Sequence, residues 1–130
     1  MNKPPLGTQE LQLLRHVARG GPGSVGQVAE TFGATQDLAR STVLTMMERL
    51  RAKGYLTRRR LKGVYVYVSS ARDEDLLRDA VGRFVQRALE GSVSPFAAYL
   101  AHRSEVSEEE LEDLERALER LRSKRGRGAR

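Results

Sequence analysis

Apolar side chains in the first part of the chain recur every three or four residues, the spacing that places them on one face of an α-helix. In the first such segment Leu11, Leu14 and Val17 follow Thr8, which stands at the position of an N-cap residue. The Gly-Gly-Pro-Gly cluster at 20–23 must end this segment. The pattern predicts a first helix that starts near Thr8 and buries one apolar face.

A second helical segment begins directly after the glycine cluster. Ser24 and Gln27 have the spacing of a capping box, in which each side chain bonds the backbone N–H of the other residue. Val28 and Phe32 continue the apolar face, and Gly33 closes the segment. We therefore expect a short, amphipathic second helix.

A third helix is predicted over residues 39–53, with Gly54 just past its end. Val43, Met47 and Leu50 share one face, which we expect to point into the core. The other side of the helix is small and polar. Its residues are Ser41, Thr45, Glu48 and Ala52, with Thr42 and Arg49 on one shoulder and Leu44 on the other.

Two runs rich in β-branched and aromatic residues follow the third helix. They span residues 55–60 and 64–68, and they are separated by Leu61-Lys62-Gly63. Glycine at a turn position between two such runs is typical of a β-hairpin. Three short helices and a hairpin make a winged helix-turn-helix in outline, with the hairpin as the wing. The fold class is mainly α with a small β-hairpin.

The rest of the sequence predicts three more helices. A long helix covers about 71–90, Ser94 and Pro95 mark the N-cap and first position of a short one, and Ser107 with Glu110 forms a capping box for the last. Apolar residues that repeat on the long and last helices are Leu77, Val81, Phe84, Leu111, Leu114, Leu118 and Leu121. These faces are too wide for a two-helix layer to hide, so the pattern predicts a dimerisation region and a homodimer. The alternative is that the leucine stripe closes over the protein's own long helix.

Charge divides the chain into three parts. Residues 1–70 hold eleven basic and four acidic side chains, residues 71–122 hold eight and thirteen, and residues 123–130 hold four basic ones. We expect a DNA-binding head over 1–70, a helical dimerisation region over 71–122 and a disordered basic tail over 123–130. A basic head favours a polyanionic partner.

The positive charge is concentrated where the third helix meets the hairpin. Residues 39–68 hold eight Lys and Arg against one acidic residue, Glu48. A helix with small polar side chains fits a major groove about 12 Å wide, while adjacent arginines can contact phosphates. The predicted contacts to double-stranded DNA are Arg40, Ser41, Thr42, Leu44, Thr45, Arg49, Lys53, Arg58, Arg59, Arg60 and Lys62.

Each of these assignments has a plainer alternative. The hairpin arginines can form a solvated face, and Arg49 can pair with Glu48 or with the next turn. Thr42 and Thr45 can bond back to helix carbonyls. Leu44 can touch a neighbouring helix instead of a thymine methyl group.

The composition excludes several classes of site. The chain has no cysteine, and hence no disulfide, thiolate metal ligand or cysteine nucleophile. His16 is interpreted as a core or boundary residue, and His102 near Glu105 lacks a third metal ligand. The carboxylates of 105–119 are interpreted as the solvated face of a capped helix. We predict no catalytic residue, metal or cofactor.

No apolar run reaches the roughly 18 residues of a membrane span, and no export signal is seen, so a cytoplasmic protein without a membrane partner is expected.

The sequence resembles the penicillinase-repressor family of bacterial winged-helix regulators. The segment from Ser41-Thr42-Val43-Leu44-Thr45 through Glu48-Arg49-Leu50 to Lys53-Gly54-Tyr55-Leu56 is similar to the recognition helix of that family. Lys62-Gly63 with Val66-Tyr67 is similar to the wing of that family. The segment Ser107–Leu111 is similar to the opening of its last helix. The resemblance implies a homodimeric repressor on an inverted repeat that overlaps a promoter.

Three positions depart from the family pattern. His16 or Val17 stands where many relatives carry tryptophan, and Tyr99-Leu100 replaces the Asn-Phe bond at which sensor-controlled relatives are cleaved. The paired cysteines of the copper-responsive branch are absent. The upstream sensor or protease, the operator and the regulated genes are not identified by the sequence.

The leading hypothesis is a dimeric regulator, most simply a repressor, that binds an inverted repeat in duplex DNA. One alternative is a protein-interaction module built on a winged helix. Another is a ligand-sensing regulator with an effector pocket between the head and the helical tail.

Overall fold

The computed structural model describes residues 3–103 and 105–128. Helices are α1 (Thr8–Gly20), α2 (Val25–Val28), which continues into a π-helical turn (Ala29–Gly33), α3 (Arg40–Ala52), α4 (Asp73–Ala88), α5 (Ser94–His102) and α6 (Glu108–Gly128). Strands β1 (Leu56–Leu61) and β2 (Val64–Ser69) form one antiparallel hairpin. The predicted fold class, mainly helical with a two-stranded wing, is confirmed.

The starts of the first two helices show how local hydrogen bonds set their boundaries. Ser24 and Gln27 form the predicted capping box, with Ser24 N–H donating to Gln27 Oε1 over 2.9 Å and Gln27 N–H to Ser24 Oγ over 3.2 Å. The prediction for α1 was wrong by one residue, because Thr8 is already helical and Gly7 is the N-cap. Gly7 N–H donates to Glu10 Oε1 over 3.0 Å, so the third helical residue caps this end.

One hydrophobic core joins α1, α2, α3, the wing and the start of α4. The predicted inward face of α3 is confirmed, since Val43, Met47 and Leu50 are fully buried. In α1 the buried residues are Leu13, Leu14 and Val17, whereas the predicted Leu11 is only partly buried. The other core side chains are Val28, Phe32, Met46, Tyr55, Leu56, Tyr67 and Leu76.

The wing turns over two residues rather than the three that the sequence predicted. Leu61 pairs with Val64, which leaves Lys62 and Gly63 as the whole turn. Their φ angles are +53° and +81°. Two successive positive φ angles are typical of a type I′ turn, whose twist matches that of the two strands. Glycine adopts such an angle freely, whereas lysine is strained there.

The chain forms two compact units, residues 1–83 and 84–130, with the division inside α4. The first part of α4 therefore lies with the head, beyond the boundary at residue 70 that the charge pattern suggested. Two contacts explain this placement. Arg15 Nε lies 2.6 Å from Asp73 Oδ1, and the side chain of Leu76 is buried in the core of the head.

The second unit contains the end of α4 with α5 and α6. Ser107 and Glu110 form the predicted capping box, with both bonds at 3.1 Å. Ser94 is the first helical residue of α5 rather than its N-cap, which is Val93. The expected disordered tail differs from the structure, because α6 continues to Gly128. Arginine and lysine favour helix, and positive charge is stabilising at a helix C-terminus. Residues 129 and 130 lie outside the described part of the chain.

Candidate nucleic-acid interface

The N-terminal half of α3 presents small polar side chains to solvent. Arg40, Ser41, Thr42 and Thr45 are exposed, and Leu44 keeps 44% of its surface accessible. The Thr45 hydroxyl donates to Ser41 O over 3.0 Å, which is the back-bonding alternative raised for the threonines. Its oxygen keeps acceptor capacity toward a donor on a base edge. None of the head elements that the structure describes covers this face, so the face is accessible to a ligand.

The three arginines of β1 lie on two faces of the wing. Cross-strand pairs place Arg58 opposite Tyr67 and Arg60 opposite Tyr65, whereas Arg59 pairs with Val66. Because side chains alternate along a strand, Arg59 points away from the other two. The sequence analysis assigned all three arginines to one DNA-contacting group, whereas the pleat of β1 places Arg59 on the opposite face from Arg58 and Arg60.

Tyr65 lies between the two arginines that share its face. The guanidinium carbon of Arg58 is 4.0 Å from the centroid of the Tyr65 ring, and that of Arg60 is 5.2 Å away. Both distances are within the range of cation–π attraction. The ring thus holds two positive groups side by side on the face of the wing that contains Tyr67.

Glu48 of α3 forms the centre of a polar cluster with Arg51, Arg58 and Tyr67, which we call the Glu48 cluster. Arg51 Nη2 donates to Glu48 Oε1 over 2.9 Å, and Arg58 Nη1 donates to Glu48 Oε2 over 3.0 Å. The Tyr67 hydroxyl donates to the same Oε2 over 2.5 Å. The cluster joins α3 to both strands of the wing.

Hydrogen bonding shifts the pKa values in this cluster. The bond from Arg51, followed by the bond from Tyr67, lowers the pKa of Glu48 to about 2, against the opposing effect of burial. Burial and the neighbouring carboxylate raise the pKa of Tyr67. Near neutral pH the cluster therefore holds one carboxylate, two guanidinium groups and a neutral phenol.

Two further predicted residues have different surroundings. Arg49 is exposed on α3. Lys53 Nζ lies 2.9 Å from Glu10 Oε1 and also donates to Pro5 O over 3.3 Å. Burial opposes ionisation of Glu10, but the bonds from Gly7 N–H and Lys53 outweigh it and lower the pKa of Glu10. The positive charge of Lys53 is thus paired with the carboxylate of Glu10 in α1.

Sequence reasoning did not assign Tyr65, Tyr67 or the central role of Glu48. One signal was available, since Glu48 is the sole acidic residue in the basic stretch and stands three positions before Arg51. The link to Tyr67 was not visible, because it depends on how the hairpin folds back onto α3.

The apolar residues assigned to dimerisation are exposed. Leu77, Val81 and Phe84 of α4, and Leu111, Leu114, Leu118 and Leu121 of α6, each keep 39% or more of their surface accessible. No residue of α5 or α6 is buried.

Two other predicted features concern ligands. His16 is half-buried, with Nε2 2.9 Å from Thr31 Oγ1, as expected of a boundary histidine. Within residues 3–103 and 105–128, no three His, Asp or Glu side chains are grouped so that they could hold a metal ion. No helix in that part of the chain is long and apolar enough to cross a membrane.

A cavity of about 440 Å³ lies in the head, between the end of α1, the end of β2 and the start of α4. Its polar groups already have partners. Ser69 Oγ donates to Ala71 O over 2.6 Å, Ser70 Oγ to Tyr55 O over 2.9 Å, and Arg72 pairs with Asp75. In the described residues no buried side-chain polar atom is left without a hydrogen-bond partner.

Three helices followed by a two-stranded hairpin, with an exposed third helix beside the hairpin, define a winged helix-turn-helix protein. The model of the penicillinase repressor family matches residues 6–120, and the chain belongs to that family. The resemblance seen in the recognition-helix, wing and last-helix motifs is thereby confirmed.

Individual relatives agree with this assignment. The methicillin resistance regulatory protein MecI of Staphylococcus aureus strain N315 is 21% identical over 95 residues, which is 73% of this chain and 77% of that protein. The solution structure of the DNA-binding domain of the repressor BlaI superposes with a TM-score of 0.51 at 23% identity, covering 57% of this chain and 90% of that domain. YusO of Bacillus subtilis gives a TM-score of 0.52 at 19% identity over 91% of this chain and 75% of its own. At these identities the structural matches establish the fold.

Proposed function

We propose that the protein is a dimeric transcriptional repressor that binds an inverted repeat in duplex DNA, with α3 in the major groove and the wing on phosphates. The observation that carries this proposal is the exposed N-terminal face of α3 beside a wing that bears exposed arginines, with the Glu48 cluster joining the two. MecI is named as a regulatory protein, and the BlaI domain as the DNA-binding part of a repressor.

The exposed face of α3 suits direct contact with base edges. Ser41, Thr42 and Thr45 are short, so the helix axis can approach the floor of a groove about 12 Å wide. Hydroxyl groups can donate to or accept from bases, and Leu44 can contact a thymine methyl group. Arg40, at the start of the helix, is exposed and can reach a phosphate. These residues supply sequence preference.

The wing suits contact with the DNA backbone. Arg59, Arg60 and Lys62 are exposed, and the described residues offer no acidic partner within salt-bridge distance of any of the three. Arg58 and Lys53 are already paired with Glu48 and Glu10. We therefore assign most of the phosphate neutralisation to Arg59, Arg60 and Lys62, with Arg49 as a further exposed charge.

Two copies of the chain fit the exposed apolar stripes. Burying a leucine side chain stabilises by roughly 1.5 to 3 kcal/mol, so pairing the stripes of two copies is favourable. A two-fold axis would present two α3 helices to half-sites one helical turn apart, roughly 34 to 36 Å. Such a dimer on a promoter excludes polymerase by occupying its site.

The test is to select bound fragments from a genomic library and to footprint the best one. We expect two protected half-sites with two-fold symmetry, spaced by about one helical turn. Binding should weaken steeply with salt, with a log-log slope near −0.9 for each neutralised phosphate. Failure to retard any duplex at about 50 mM salt would instead favour a protein-interaction module.

A further inference from the structure

Glu48 places a negative charge in the middle of the surface assigned to DNA. We propose that Glu48 is a positioning residue, which fixes the wing against α3 and thereby increases discrimination between operator and random DNA. This inference rests on the proposed DNA-binding function. It concerns a residue that, in the proposed complex, repels phosphates and so has a different role from its basic neighbours.

The carboxylate of Glu48 is oriented by a rigid partner. Tyr67 is 1% exposed, and its backbone bonds both ways with Gly23, at 2.8 and 3.0 Å. The Tyr67 hydroxyl is thus held by the core, and it donates to Glu48 Oε2 over 2.5 Å. The position of the carboxylate on α3 is therefore tied to β2 and to the loop before α2.

The fixed carboxylate in turn orients two arginines. Arg51 donates to both of its oxygens, at 2.9 to 3.3 Å, and Arg58 donates to Oε2 over 3.0 Å. An ionised carboxylate has about four acceptor positions, so these donors and Tyr67 fill it. Arg58 also stacks on Tyr65, which carries Arg60 on the same face. Through this chain of contacts Glu48 sets the direction of the wing relative to α3.

A carboxylate at this place has opposite effects on two kinds of DNA. Random duplex is bound through charge alone, and one negative charge near the phosphates weakens that binding. The operator requires the wing and α3 to meet the backbone and the bases in one register. Loss of Glu48 should therefore strengthen binding to random DNA and weaken binding to the operator.

The test compares Glu48→Gln with the wild type on the selected operator and on random duplex of equal length. Glutamine keeps the size of the side chain and removes the charge. We expect random-duplex affinity to rise about twofold, operator affinity to fall about fivefold or more, and the ratio to fall about tenfold. Asp79→Asn is the matched control, because it removes one negative charge from an exposed position on α4.

The outcomes separate the inference from the proposed function. If Glu48→Gln shifts both affinities by the same factor as Asp79→Asn, Glu48 acts only through net charge and the inference fails. A wild-type protein that binds no duplex overturns the proposed function itself. Should Glu48→Gln prove poorly folded, Tyr67→Phe removes one bond to the carboxylate and should lower the same ratio. An unchanged ratio for this variant would also count against the inference.

A different observation, the charge pattern of α6, carries a second inference about the proposed dimer. We infer that α6 pairs antiparallel with α6 of a second copy. Leu111, Leu114, Leu118 and Leu121 repeat at intervals of three and four, as the a and d positions of a heptad do. The apolar stripe alone fits either direction of pairing.

The charges that flank the stripe decide the direction. Glu110 and Glu115 precede its middle, whereas Arg122 and Lys124 follow it, and all four are exposed. In an antiparallel pair that aligns Leu111 with Leu121 of the other copy, Glu110 lies near Lys124, and the exposed Glu108 at the start of α6 lies near Arg122. A parallel pair would instead bring Glu110 against Glu115. Flanking charges of this kind set helix orientation in coiled coils.

The chain has no cysteine, so introduced cysteines report the pairing directly. In the antiparallel arrangement Leu111→Cys and Leu121→Cys should each fail to cross-link alone under mild oxidation. The chain that carries both changes, or a mixture of the two single variants, should form covalent dimers. Cross-linking of either single variant would indicate a parallel pair and overturn the inference. So would a double variant that sediments as a dimer without cross-linking.

Discussion

The Tyr67 hydroxyl and the Glu48 carboxylate lie 2.5 Å apart, and this contact joins the second strand of the wing to the exposed helix of the head. It links a residue fixed in the core to one on the surface. We therefore expect that changes to this pair affect both the stability of the head and the proposed binding to DNA.

Acid should weaken the head through Glu48. Its pKa is about 2 in the folded protein, below the usual glutamate value of 4.5 that holds in the unfolded chain, so the unfolded state binds the proton first as pH falls. The contribution of Glu48 to stability is present above about pH 4.5 and is lost between there and about pH 2. Urea unfolding measured at several pH values should show a steeper acid loss for the wild type than for Glu48→Gln. Parallel curves for the two proteins would contradict the assignment.

Arg60 and Thr45 should separate phosphate contact from base contact. Arg60→Ala removes an exposed charge, so it should weaken binding to all duplexes and reduce the salt slope by about 0.9. Thr45→Val keeps the shape of the side chain and removes its hydroxyl, so it should weaken operator binding more than random binding. Titrations by fluorescence anisotropy at several salt concentrations would measure both effects. Equal losses on both DNAs for both variants would contradict this division.

Lys62 should show opposite effects on stability and on binding. Its φ of +53° is strained for lysine, and Asn-Gly is a preferred type I′ turn. Lys62→Asn should raise the free energy of unfolding by about 0.5 to 1 kcal/mol and lower DNA affinity by the loss of one charge. Chemical denaturation and the same anisotropy assay give the two values. If Lys62→Asn instead lowers the free energy of unfolding, the backbone of Lys62 is not strained in the turn.

Leu114→Asp should convert the proposed dimer to a monomer, because it places a charge in the middle of the apolar stripe. Ser123→Asp is the matched control, since it adds the same charge to α6 on the side away from the stripe. Sedimentation velocity should show a monomer for the first and a dimer for the second. A dimer in both would remove α6 from the interface.

Features set by neighbouring residues were predictable from the sequence. The capping boxes at Ser24 and Ser107 depend on residues three positions apart, and the buried face of α3 follows from helical spacing alone. The motifs of the third helix also identified the family. In each case the informative residues lie close together in the sequence.

Features that depend on distant residues were not predictable. The pairing of Lys53 with Glu10 and of Glu48 with Tyr67 joins residues 43 and 19 positions apart. The basic run was correctly placed on the wing, but the pleat that separates Arg59 from Arg58 and Arg60 required the strand register. The helical end of α6 was missed because two glycines suggested disorder, whereas the arginines and lysines around them favour helix.

The run of three arginines on β1 makes the wing tolerant of a change in alignment. Moving β1 by one position along β2 would exchange the two faces of the strand, which normally reverses the chemistry that each face presents. Arg59 would then point to the face that Arg58 and Arg60 occupy in the structure, and Arg58 and Arg60 would point to the other face. Each side of the hairpin would keep at least one guanidinium group, so an insertion or deletion near the strand would alter the amount of positive charge on a side without removing it.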